Sequence, residues 1–85
     1  MKKEKIYIVQ ESIDWHNDDC EVEVHAYREQ EKAQKKLLDL YTAFKKWCEK
    51  NERGIAYERN GASGTFIETS AEDYYNIWIK EIVLE

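Results

Sequence analysis

Eighty-five residues with a formal charge of −5 and 36% charged side chains make one domain, 1–85, with a single small core. The length leaves little for a deep catalytic cleft, and no run approaches the roughly 18 consecutive apolar residues of a membrane span. Acids outnumber bases 18 to 13, and a phosphate backbone needs clustered Lys and Arg, so neither nucleic acid nor membrane is an expected partner.

The start, Met1-Lys2-Lys3-Glu4-Lys5, is basic, but the apolar run behind it is only Ile6 to Val9. That is too short for the apolar region of a signal peptide. The chain has two cysteines, Cys20 and Cys48, where secreted domains of this size carry more at tighter spacing. The expectation is a cytoplasmic protein with free thiols.

Lys5 to Ile13 reads as a strand, β-branched and aromatic at Ile6-Tyr7-Ile8-Val9. Asp14 to Asp19 is a polar turn holding Trp15. Cys20 to Tyr27 alternates: Cys20, Val22, Val24 and Ala26 share one side and Glu21, Glu23, His25 and Tyr27 the other. Such alternation predicts a strand with its Cys20 side buried and its Glu21 side wet. The two strands form a hairpin.

The next segment is helical. Ala33, Leu37, Leu40, Tyr41, Phe44, Trp47 and Cys48 recur three and four residues apart, a wide apolar stripe. The helix begins near Arg28 or Glu29 without a good N-cap, although Glu29 and Glu31 suit the dipole of its first turn. Asn51 and Gly54 provide stop signals. Its charges pair on paper as Glu31 with Lys35, Lys45 with Glu49, and Glu49 with Arg53, the pattern of a solvated face.

Ile55 to Arg59 is a short strand, and Asn60-Gly61 opens a turn into a second strand, Thr65 to Thr69. Ser70 to Asp73 has the spacing of one helical turn capped by Ser70. Asn76 to Leu84 is the last strand. Ile77 and Ile79 fall on one parity and Ile82 and Leu84 on the other, so a β-bulge near Lys80 and Glu81 is expected.

The charge is unevenly spread. From Ile6 to Tyr27 there are six acids and no Lys or Arg; Arg28 to Arg53 carries eight bases and five acids; from Gly54 onward there are six acids and two bases. The strand regions are acidic and the helix mildly basic.

The Ile6-Tyr7-Ile8-Val9 strand, the acidic loop, Val24-His25-Ala26-Tyr27, the helix opening at Glu31-Lys32-Ala33 and the strand from Ile77 to Glu85 together resemble small bacterial and phage-associated proteins of strand–strand–helix–strands layout. Where those often have Phe-Ser before the helix, this chain has Ala26-Tyr27-Arg28. The resemblance implies a fold and no activity.

Candidate chemistry is sparse. His16, Asp18, Asp19, Cys20 and His25 are metal-ligating types, but their spacing matches no known site, and a solvated acidic turn accounts for them. Cys48 lies on the apolar stripe, where cysteine behaves as a small hydrophobe rather than a nucleophile. Asn60-Gly61-Ala62-Ser63-Gly64 is not followed by the Lys-Ser/Thr of a phosphate loop. No catalytic residue, metal ligand or cofactor is expected.

The expected fold is α+β: a two-layer sandwich of one amphipathic helix on a mainly antiparallel sheet of four or five strands, in the order ββαββ(β). A β-grasp fold, with first and last strands parallel, is the alternative. One helix covers one face of a sheet. Three Trp, six Tyr and two Phe cannot all lie beneath it, and exposed apolar patches mark partner sites. Trp78, Tyr57 and the off-stripe Leu38 are the candidate interaction residues. The functional expectation is a non-enzymatic module that binds another protein or itself as a homodimer, through the open sheet face or an edge strand. The alternatives are a ligand- or metal-binding protein or enzyme using the acidic loop 14–20, and an acidic mimic of nucleic acid that inhibits a DNA-binding protein.

Overall fold

The structure, a computed structural model, describes residues 4–15, 20–61 and 63–84. The elements follow as β1 (Glu4–Asp14), β2 (Cys20–Tyr27), α1 (Gln30–Lys50), β3 (Ile55–Asn60), β4 (Gly64–Thr69) and β5 (Tyr74–Leu84). The strands form one sheet in the order β2-β1-β5-β4-β3, and every neighbouring pair is antiparallel. This is the α+β layout of one helix on an open sheet. The β-grasp alternative fails because β1 and β5, although adjacent, run antiparallel, with Glu4 opposite Leu84 and Asp14 opposite Tyr74.

The helix packs on β1, β5 and β2. Its stripe buries Ala33, Phe44 and Cys48, with Leu37, Leu40, Tyr41 and Trp47 partly buried around them. They meet Val9 and Ile13 of β1, Ile67 of β4, and Tyr75 and Ile77 of β5. Each large apolar side chain removed from water in this way contributes about 1.5–3 kcal/mol. The start at Glu29 has no side-chain cap, as Tyr27 and Arg28 foretold. At the other end Asn51 donates its side-chain amide to the Trp47 carbonyl at 2.8 Å. The left-handed residue that follows is Glu52, with φ 54°. Gly54 therefore does not supply the stop, since no glycine here has positive φ.

Several local expectations are corrected. In β2 the buried and wet sides are exchanged: Cys20, Val22, Val24 and Ala26 are exposed and face away from the helix. The cause is register. Val9 and Ile13 must face the helix, and they stand opposite His25 and Glu21. Period-two alternation then carries Glu21, Glu23, His25 and Tyr27 to the helix side. β2 is an edge strand, so those charged heads still reach water.

β5 keeps one register with β1 from Tyr74 to Leu84, so the bulge at Lys80–Glu81 does not form. Ile77 and Ile79 stay on the helix side while Ile82 and Leu84 stay on the other. The irregular pairing lies instead between Ile55 and Tyr57 of β3. Ser70 to Asp73 is a turn rather than a helical one, and Thr69 organises it. Its hydroxyl receives the Ala71 and Asp73 amides at 3.3 and 3.1 Å and donates to Asp73 Oδ2 at 2.9 Å. Ser70 Oγ accepts the Gly54 amide instead. Lys45 pairs not with Glu49 but with Glu58 of β3, at 2.6 Å, a partner that the folded sheet brings closer than the helix does.

Candidate functional site

The face of the sheet opposite α1 is assembled from all five strands. Register sets its rows. Val24, Gln10, Trp78 and Gly64 lie side by side across β2, β1, β5 and β4. The next row is Val22, Ser12, Asn76, Phe66 and Arg59, and the one after it Cys20, Asp14, Tyr74, Glu68 and Tyr57. Beyond the first row the face continues through Ala26, Ile8 and Lys80 to Ile6 and Ile82. Among the described residues nothing lies over this face.

Its exposure is high for apolar groups. Val22 and Val24 are 56% and 57% exposed and Tyr57 is 51% exposed. Isolated exposed apolar residues are ordinary, but a contiguous set is not. The aromatic rings are in contact with one another: Tyr57 and Phe66 have centroids 6.1 Å apart, and Phe66 stacks on Tyr74 at 6.3 Å. Trp78 sits half-buried across from Gly64. A Cβ on Gly64 would stand 2.7 Å from the Ile77 carbonyl oxygen and 2.8 Å from Trp78 Cβ. Only glycine lets the two strands close up beside that side chain.

Trp78 and Tyr57 therefore share one surface. Leu38 does not join them: it is 58% exposed, but on the helix, on the far side of the sheet. Val22, Val24, Phe66 and Tyr74 belong to the surface and were missed in the sequence reading. The alternation of Cys20 to Ala26 marks the two valines as a set, and only the pairing of β2 with β1 turns that set away from the helix. Cys20 lies on this face too, exposed rather than buried.

The helix side holds the polar groups with shifted acidity. Tyr75 donates its hydroxyl to Glu11 Oε2 at 2.6 Å. Burial raises the Glu11 carboxyl, and burial together with the Glu11 bond pushes the Tyr75 phenol far up. Glu23, near Glu11, is met by His25 at 3.3 Å. A shallow groove between β2 and α1 runs past Trp15, Leu40, Phe44 and Trp47, with Glu11 and Glu21 on one wall. Across the molecule, Glu58 accepts from Lys45 Nζ (2.6 Å), Tyr41 hydroxyl (2.7 Å) and Asn60 Nδ2 (2.9 Å). The Lys45 ammonium leads these donors in lowering its carboxyl to about 2. These contacts tie β3 to the helix.

Cys48 is buried and its thiol is pushed up by desolvation, the state of an inert cysteine. Among the described residues no group of three or more His, Cys, Asp and Glu is placed to hold a metal. Of the acidic loop, His16 to Asp19 lie outside the described residues. Asp14 and Cys20, its two ends, face each other across β1 and β2. Among the described residues no helix is long and apolar enough to cross a membrane.

Comparison with protein-family models, with curated proteins and with solved structures finds no match to this chain. The functional reading rests on the chain's own geometry.

Proposed function

We propose that this chain is a non-enzymatic interaction module that binds protein through the open face of its sheet. One observation carries the reading. A single helix covers one side of five strands, and the other side presents valine, isoleucine and aromatic side chains over which, among the described residues, nothing lies. Water contact with such a surface is unfavourable in proportion to its apolar area, and a partner removes it. The surface has the composition of an interface core: Trp, Tyr and Phe anchors, with charged groups thinned out.

The test is a photo-crosslinking amino acid placed at Val24, on the open face, or at Asp39, exposed on the helix. The chain is expressed whole in cells and irradiated. Adducts to polypeptide from position 24 and not from position 39 support the reading. Equal adducts from both positions, or none from position 24, overturn it.

A further inference from the structure

We propose that β2 is an open sheet edge that takes up an extended segment of another protein, one in which lysine or arginine alternates with apolar residues. The segment lies beside β2 as a further strand. This goes beyond the open-face reading and concerns a different surface.

The two edges of the sheet differ. β3 is blunted: it has six residues, its pairing is irregular between Ile55 and Tyr57, and Glu58 is drawn to the helix by Lys45. β2 is regular over eight residues, all paired with β1 from Tyr27 opposite Tyr7 to Cys20 opposite Asp14. It stands at the end of the strand order, and it holds no proline, lysine or arginine, the residues that close an edge against pairing. Residues 20–24 are all exposed. Among the described residues no strand lies beyond it, so alternate N–H and C=O groups of β2 point outward with no strand to receive them. An added strand satisfies that row in register.

Side chains select the partner. Glu21 and Glu23 stand on the helix side of β2, with Glu11 of β1 directly opposite Glu23. These three acids and Val22 line one hollow at the edge. Two bases reach them: His25, 3.3 Å from Glu23, and Lys36 of α1, whose charge acts on Glu11. The balance is negative, so a cationic side chain is favoured and an anionic one repelled. Facing side chains of neighbouring strands lie about 5 Å apart, so a lysine or arginine opposite Glu21 or Glu23 meets its carboxylate directly. On the other side, Val22 and Val24 offer an apolar row. A partner that alternates basic and apolar residues therefore matches both sides of β2 at once. A second copy is the poorer occupant: it brings two further glutamates to a strand whose only basic residue is His25.

The probe is a labelled peptide of alternating lysine and valine, long enough to span β2. It is titrated into the intact chain by fluorescence anisotropy, with amide hydrogen exchange as a second readout. The peptide should bind, protect alternate amides of β2, and bind more weakly as salt rises. Glu21→Lys and Glu23→Lys, both at exposed positions, should each weaken binding about tenfold while circular dichroism shows the fold retained. Two positions are used so that a folding failure at one leaves the other to decide. Glu49→Lys, the same charge change on the helix, should leave binding intact. A glutamate–valine peptide should not bind, and the same lysines and valines arranged in two blocks should bind about tenfold more weakly. No binding at about 1 mM overturns the inference, as does binding that leaves the β2 amides exchanging freely, or a block peptide that binds as tightly. Exchange of the β2 amides that slows with protein concentration, without peptide, gives the edge to a second copy and overturns it too. Each of these results leaves the open-face reading standing, because Glu21 and Glu23 point to the other side of the sheet.

Discussion

The ring of Phe44 lies flat on that of Tyr75, with centroids 4.0 Å apart and planes within 11°. The first residue is on the helix and the second on β5, so this stack joins the two layers. Tyr75 is completely buried and its hydroxyl continues to Glu11 on β1. One aromatic pair thus leads from the helix, through the sheet, to a half-buried carboxylate.

Phe44→Ala should cost about 3–5 kcal/mol, from lost burial plus the cavity left against Tyr75 and Trp47. In a domain this small that is most of the folding free energy. Urea denaturation should show a large fall in midpoint. An unchanged midpoint would refute helix-on-sheet packing.

Tyr75→Phe should destabilise by about 1–3 kcal/mol, because it strips a half-buried carboxylate of its donor. The Glu11 carboxyl, already raised by burial, should rise further, since the Tyr75 bond lowers it. Glu11→Gln keeps an acceptor for the phenol and removes the charge. It should leave stability at neutral pH unchanged or higher by up to about 1 kcal/mol. NMR titration of the Glu11 side chain and denaturant melts of the variants check both.

Acid should weaken the link between β3 and the helix. Glu58 is held at about 2, below its ordinary 4.5. A depressed carboxyl stabilises the fold fully above the unfolded value, and that stability is lost as pH falls from about 4.5 towards 2. Discounted for solvent screening, the Lys45–Glu58 pair contributes about 1–2 kcal/mol. Lys45→Met should therefore be less stable than wild type at pH 7 and converge on it near pH 2. Glu11 acts with the opposite sign, since its raised carboxyl favours the protonated fold. Glu58→Gln should expose that opposite trend in melts taken across pH.

The two thiols should differ sharply. Cys20 is exposed on the open face and Cys48 is 2% exposed on the inward side of the helix. A thiol reagent without denaturant should modify Cys20 quickly and Cys48 only on unfolding. Cys48 reacting as fast as Cys20 would contradict its burial.

The helix was readable from residue order because a stripe at 3.6-residue spacing is local. Ala33, Phe44 and Cys48 could form one face only in a helix, and all three are buried. The strands were readable by composition, and the Asn60-Gly61 turn by its chemistry, since Gly61 donates its amide to the Gly64 carbonyl at 2.7 Å. Residue order also showed that one helix could not cover so many aromatics, which led to Trp78 and Tyr57. It could not say which side of β2 faces the helix. Alternation gives two sides without a label, and the apolar one is not obliged to be inward when the strand lies at an edge. That label comes from β1, whose Val9 and Ile13 must face the helix and whose pairing carries His25 and Glu21 with them. In the same way Leu38 was separated from Trp78 and Tyr57 by layer, and Lys45 was drawn to Glu58, 13 residues away along the chain, because contacts between layers depend on strand order, which no local pattern encodes.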